Sequence, residues 1–452
     1  MLTTRSLPRC CLLALVLAAP VGAQAPLSLH ETLGRVDANG YANRIASAAA
    51  DAATARIGTT GRDILPTVRV EAGWLRSTDP LATFGFLMRQ RLVTPQAFDP
   101  AALNGPRARS DLSSGLVLEA PLLNIDAWAG RSAATHAAGA ATAHAAWVAS
   151  GMRLDVIKAY FGAILAEEQV ATLEAGNAAA RSHVRQAEAA AANGLVTRSD
   201  VLLVEVMQGE VETRLAQAAG QRTLARLQLA LLLGAPGDTL FTLPRSVPGT
   251  PPTPDRSTIE SRADVRMAEA SLAAAGAMKR AADAAFLPRV NAFARYDWHD
   301  PHAPFGGKAM WTVGVMASWS PFSGGAERAQ RRGALADAVG ATAGREAAEA
   351  AAALEVQSAT IGVSVAVRAL TIASQAVAQA TEAHRIVGRK YAGGLAAVSE
   401  LLDAQATELA TRLGEATARY DLLTARATLA RAQGDDLTTF AAALDAAAGY
   451  RE

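Results

Sequence analysis

"WTVGVMASWSP" spans residues 311–321. Trp311, Val313, Val315, Ala317 and Trp319 alternate with Thr312, Gly314, Met316, Ser318 and Ser320. Period-two alternation with one apolar face predicts a half-buried strand, because successive side chains of a strand point to opposite faces. A run of about ten residues with an aromatic at each end also fits a strand that spans a membrane. The segment after Pro288 has the same form. Val290, Ala292, Ala294, Tyr296 and Trp298 alternate there with Asn291, Phe293, Arg295 and Asp297. Together they predict a β-hairpin over about 288–321.

The pattern occurs a second time upstream. After Pro66, Val68, Val70, Ala72 and Trp74 alternate with Arg69, Glu71 and Gly73. Before Pro121, Leu116, Leu118 and Ala120 alternate with Gly115, Val117 and Glu119. This predicts a first hairpin over about 66–121. The connections Arg76–Ser110 and His299–Met310 read as polar turns on one side of the strands. Four strands cannot close a barrel, and an open sheet edge cannot sit in lipid. If these strands span a membrane, several chains share one barrel. Three chains give twelve strands, within the range of outer-membrane barrels. Trp74, Tyr296, Trp298, Trp311 and Trp319 would then form its aromatic girdle.

The region downstream of each hairpin also repeats. "NGLVTRSDVLL" occupies 193–203 and "GGLAAVSELLD" occupies 393–403, with Gly194 and Gly394 200 positions apart. No proline occurs between about Asp126 and Ala192. Leu154, Ile157, Phe161 and Ile164 step there by 3, 4 and 3, the spacing of a coiled-coil seam. The predicted helix is roughly 100 Å long at about 1.5 Å per residue. Its counterpart runs from about Glu327 to Ala392. Returning helices are predicted over about Ser199–Leu233 and Ser399–Arg431, the latter with Leu409, Leu413, Ala416, Tyr420, Leu423 and Ala427 on its seam. Gly194 and Gly394 supply the left-handed residue that ends a helix. Ser199 and Ser399 are the N-cap candidates of the next one. Asp200 and Glu400 lie at the positive end of its dipole. Each phrase is therefore a helix-turn-helix tip, at 193–200 and 393–403.

Composition and charge narrow the class. The chain has 452 residues and a formal net charge of +1, which gives no electrostatic footprint for nucleic acid. Arg5 and Arg9, the apolar run Cys11–Ala19 and the small residues of "VGAQAP" read as an export signal over 1–23, cleaved after Ala23. The only cysteines, Cys10 and Cys11, leave with it, and disulfides and thiol chemistry leave with them. Ser132–Met152 and Val356–Thr381 hold almost no charge, but Ala, Ser, Thr and Gly gain little in lipid, so both read as soluble helix. The remaining organisation is a first repeat over 24–234, a Pro-rich linker over 235–257, a second repeat over 258–434 and a C-terminal segment over 435–452. No metal, cofactor or catalytic motif is present, which excludes the common enzyme classes. His299-Asp300-Pro301-His302 falls in a predicted loop and is not read as a metal site.

The order of these segments resembles the TolC-like outer-membrane efflux proteins over nearly all of the mature sequence. "LPTVRVEAGW" and "LPRVNAFARYDW" match the strand starts, "APLLNIDAWAGR" and "SPFSGGAERAQR" the passage from strand to helix, and "NGLVTRSDVLLVEV" and "YAGGLAAVSELLDAQ" the tips. The resemblance implies a homotrimer with a twelve-stranded barrel in the outer membrane and a periplasmic tunnel of coiled-coil helices. It also implies a role as exit duct of a tripartite pump or of type I secretion, with a periplasmic adaptor and an inner-membrane transporter as partners, and no enzyme activity or cofactor. By motif position the periplasmic gate would comprise Tyr391, Glu400 and Asp403 of the second tip with Arg198, Ser199 and Asp200 opposite. Gly194, Leu195, Gly394 and Leu395 would be the adaptor-docking tips. The family's frequent Arg after the second-tip glycine is Ala396 here, so its closing ion pair is missing or inverted. The alternative class is an exported coiled-coil adaptor or structural protein without a pore, which would lack the duplication.

Overall fold

A computed structural model describes residues 27–237, 241–244 and 262–447. The export signal and most of the Pro-rich linker lie outside the described residues. The first repeat comprises α1 (Leu29–Asn39), α2 (Tyr41–Thr59), β1 (Thr67–Ser77), α3 (Pro80–Arg89), α4 (Pro100–Asn104), β2 (Arg109–Leu123), α5 (Ile125–Ala192) and α6 (Arg198–Leu232). The second comprises α7 (Ala263–Ala284), β3 (Arg289–Asp300), β4 (Met310–Ser318), α8 (Ala326–Ala392) and α9 (Val398–Gln433), and α10 (Leu437–Ala447) comes last. The predicted order of helix, strand, connection, strand, long helix and returning helix is present in both repeats, with α1 as an extra helix in the first and two departures from expectation. Strand β4 stops at Ser318, so Trp319 lies beyond it and its indole donates to the Phe286 carbonyl at 3.0 Å. The connection Ser77–Arg109 is not a polar turn, because it holds α3 and α4.

The four strands form one antiparallel sheet in the order β1-β2-β3-β4. Its register places the predicted apolar sets side by side. Val68 faces Leu118, Val70 faces Leu116, Leu116 faces Tyr296, Tyr296 faces Trp311, Ala294 faces Val313 and Ala292 faces Val315. Because side chains alternate, all of these project from one face. That face is open: Val68 is 71% exposed, Trp311 71% and Val315 65%. The opposite face carries paired charges, with Leu75 and Met316 also exposed on it. Arg69 reaches Glu119 at 3.1 Å, and Arg295 reaches Asp297 at 2.7 Å and Glu71 at 3.2 Å. Among the described residues, the outer edges of β1 and β4 are unpaired.

Helices α5 and α8 run uninterrupted for 68 and 67 residues, roughly 100 Å each. Each folds back as a hairpin, α5 with α6 and α8 with α9, and the two hairpins meet along α5 and α9. The largest apolar cluster sits partway along the helices. The predicted seam residues Leu154, Ile157, Phe161 and Ile164 pack there with Leu33, Leu229, Leu423, Leu437 and Phe440. Leu243, in the described piece of the linker, joins the same cluster. Two smaller clusters continue toward the tips, one around Val170, Leu173 and Leu409 and one around Ala187, Val201 and Leu402. The buried side chains of α8 are Ala352, Ala359, Ala366 and Ala380, at multiples of seven. An alanine seam of that period lets a neighbouring helix approach closely and follow a supercoil. Beside it, Leu354, Ile361, Val365 and Ile372 are exposed. Helix α8 is the one described helix long and apolar enough to cross a membrane by length and composition, with a stretch of mean hydropathy 1.6 that is 6% buried.

Candidate gate at the helix tips

The two turns that end α5 and α8 are built alike. Gly194 and Gly394 have φ of 69° and 72°, the left-handed region that glycine occupies without steric cost. The Leu195 N–H donates to the Ala190 carbonyl at 2.9 Å, and the Leu395 N–H to the Lys390 carbonyl at 2.8 Å. Each bond spans six residues and closes a helix end in the Schellman manner. Leu195 and Leu395 stand 77% and 81% exposed, and the space around Gly194 and Gly394 beside them is open.

The returning helices begin differently. Helix α6 is capped by Thr197, not by the predicted Ser199. The Asp200 N–H donates to Thr197 Oγ1 at 3.3 Å and the Thr197 N–H donates to Asp200 Oδ2 at 2.9 Å, a complete capping box. Thr197 wins because a cap stands three residues before its partner acid, and Ser199 stands only one before Asp200. Ser199 instead sits 2.6 Å from Thr197 Oγ1. The Asp200 carboxyl is held below its ordinary value of 3.8, first by the Thr197 N–H and then by the Thr197 hydroxyl. Helix α9 begins at Val398, so Ser399 is not its cap either. The cap is Ala397, which has no side-chain acceptor to offer.

The predicted gate residues therefore divide. Asp200 and Ser199 are engaged in their own cap, and Arg198 pairs along its own helix with Glu205 at 3.8 Å. Tyr391 packs in the apolar cluster that holds the tips together, with Val184, Val196, Val201, Val398 and Leu402. Glu400 and Asp403 are exposed, three residues apart on one face of α9, and neither side chain takes part in a hydrogen bond or ion pair among the described residues. The two tips are thus joined by apolar packing and not by an ion pair.

Sequence reasoning misses a contact next to the tips. His183 of α5 and His384 of α8 meet edge to face with ring centroids 6.4 Å apart. Glu408 of α9 holds His384 Nδ1, Arg412 and Thr381. Burial is the main cause that lowers His183 below its ordinary 6.5, and the neighbouring His384 acts in the same direction. Nothing local in the sequence announces the pair, since its two members come from different repeats. Elsewhere, His299 and Asp300 serve structural bonds: His299 Nδ1 lies 2.7 Å from Asp111, and Asp300 accepts from the backbone N–H groups of His302 and Ala303. Among the described residues no group of three or more potential metal ligands occurs.

Comparison with known proteins agrees with this architecture. The outer membrane efflux protein family matches residues 44–235 and 256–435. No curated protein sequence matches the chain. Among solved structures, a membrane protein from Pseudomonas aeruginosa aligns at a TM-score of 0.78 and 22% identity, covering 92% of this chain and 98% of that one. The outer membrane protein VceC from Vibrio cholerae aligns at 0.76 and 20%, covering 90% and 96%. The MtrE outer membrane channel of Neisseria gonorrhoeae, in its open state, aligns at 0.73 and 20%, covering 91% and 90%. These similarities show the shared fold. The chain belongs to the outer membrane efflux protein family. That is a family of channels and not of enzymes, and this chain serves it as an efflux duct of the outer membrane.

Proposed function

We propose that three copies of this chain close a twelve-stranded barrel in the outer membrane of a Gram-negative envelope and continue as a helical tunnel into the periplasm. In this reading an inner-membrane transporter and a periplasmic adaptor feed the duct, and the adaptor docks at Gly194, Leu195, Gly394 and Leu395. The carrying observation is the sheet: one face is apolar and open, the other carries ion pairs, and both outer edges are unpaired among the described residues. Lipid would cover the first face, the aqueous lumen the second, and neighbouring chains the edges. The exposed apolar side chains of α8 would be covered by the adjacent chain. Trp74, Tyr296, Trp298 and Trp311 would form the girdle at the outer end, with Trp319 at the helix end. Glu400 and Asp403 would form stacked acidic rings at the periplasmic constriction, attracting cations as charged selectivity rings do.

Val315 and Met316 are neighbours in β4 at one depth but on opposite faces. Val315→Arg places a cation in lipid at a cost of about 2–4 kcal/mol near the midplane, and Met316→Arg places it in the lumen. The outer-membrane trimer yield should fall for the first and hold for the second. Equal yields would remove the barrel assignment.

A further inference from the structure

We infer that residues 78–108 are a lid folded into the outer mouth of the barrel, latched by Gln90 through Asp111 and His299. The inference rests on the barrel reading proposed for the sheet.

Three observations carry it. The segment is ordered by its own chemistry. Asp79 caps α3 by accepting from the Ala82 N–H at 2.7 Å, Pro80 opens the helix, and Thr83, Phe86 and Leu87 are buried. Next, the segment is tied to the wall. Gln90 Nε2 donates to the Ser110 carbonyl and to Asp111 Oδ1, both at 2.9 Å, while Asp111 Oδ2 is held by His299 Nδ1 at 2.7 Å. Asp111 is 1% exposed and His299 8%. The side of the wall is set by the register. Trp74 of the apolar face pairs with Leu112, and Trp298 of that face pairs with Ser114. Asp111 and His299 therefore project from the opposite face, the one with the ion pairs. The lid binds the wall from the lumen side.

Size decides what a lid there does. Twelve strands about 4.8 Å apart and tilted by about 40° enclose a circle about 24 Å wide between backbones. A helix with its side chains is about 10–12 Å wide, and three packed side by side fill a circle of about that width. One α3 from each chain therefore suffices to obstruct the mouth. The lid also presents apolar side chains to the space around it: Leu81 is 82% exposed, Phe98 61% and Met88 58%. An apolar constriction resists water and ions without any charge.

The test uses a chain whose only cysteines lie in the predicted export signal. Thr312, exposed on the lumen face of β4, is changed to Cys, and intact cells are treated from outside with a sulfonated, membrane-impermeant maleimide. Three backgrounds are compared: the full chain, a chain with 78–108 replaced by an Asn-Gly turn, and Gln90→Ala. Each is checked for the heat-sensitive trimer band. Labelling should be slow in the full chain, about tenfold faster without the lid, and intermediate in Gln90→Ala, whose lid opens locally. Val313→Cys, facing lipid, should stay unlabelled. Fast and equal labelling of Thr312→Cys in the full chain and Gln90→Ala overturns the lid and leaves the barrel. No labelling of Thr312→Cys in any background, with trimers present, overturns the barrel assignment itself.

Discussion

Helices α5 and α8 end alike, whereas α6 and α9 begin differently. Both tips turn on a left-handed glycine and a six-residue hydrogen bond. The first tip then closes its helix with Thr197 and Asp200, consuming an acid in the cap. The second offers Ala397 in the same place and leaves Glu400 and Asp403 unengaged. Duplicated sequence has thus yielded one tip whose Thr197 and Asp200 are spent on its own cap and one whose acids remain unengaged among the described residues. In the proposed reading the first tip is the scaffold and the second the gate.

The strongest way to break that contrast is to dissolve the packing that joins the tips. Leu402 is 3% exposed between Val201, Val204 and Val398. Leu402→Ala should weaken the seam by about 2–5 kcal/mol, the usual range for truncating a buried leucine. In planar bilayers the variant should open more often than the parent. Conductance traces indistinguishable from the parent would mean that the seam does not hold the tip shut.

Exchanging the caps is a milder intervention. Thr197→Ala should cost α6 about 1 kcal/mol at its first turn, and Ala397→Ser should add about 0.5–1 kcal/mol to α9. Hydrogen exchange of the first-turn amides reads both directly, faster in the first variant and slower in the second. Ala397→Ser should also lower the frequency of opening, and Thr197→Ala should leave it nearly unchanged.

Acidification gives the smallest effect. His183 is lowered below 6.5 chiefly by burial, so the packed state favours the neutral ring. Its contribution is complete above about 6.5 and is lost as pH falls below that value, because the separated hairpins take up the proton first. The charged and titratable groups on the elements packed around it include His384, Glu408 and Arg412, with the Arg181–Glu212 pair on α5 and α6. Opening should increase modestly between pH 7 and 5, and His183→Phe should flatten that slope.

How much of this is legible in the sequence depends on what each feature rests on. Strand faces rest on local periodicity and helix spans on unbroken proline-free sequence, which predicts α5 from about Asp126 to Ala192 against an observed Ile125–Ala192. The cap of α6 is legible too, but easily misread: Thr197 with Asp200 three residues later is a capping box, and Ser199 beside the acid competes for the role. Asp79-Pro80 likewise signals a helix start inside a segment that reads as a turn. The seam at Leu402 and the His183–His384 contact depend on which hairpins meet, and no spacing within one repeat encodes that. The same holds for Tyr391, whose place in the family pattern suggests the lumen and whose side chain packs between the tips.

The central claim is that Glu400 and Asp403 face the passage and set its preference. Reversal potentials in planar bilayers, parent against Glu400→Ala/Asp403→Ala, test it most directly, since the change removes about six carboxylates from one constriction in a trimer. The parent should prefer cations and be blocked by trivalent cations added on the periplasmic side. The variant should lose most of both properties, with the difference shrinking at high salt as exposed charges are screened within about 10 Å at 0.1 M. A variant that keeps the parent's selectivity and block would show that these acids serve only the start of α9, and the second tip would no longer be the gate.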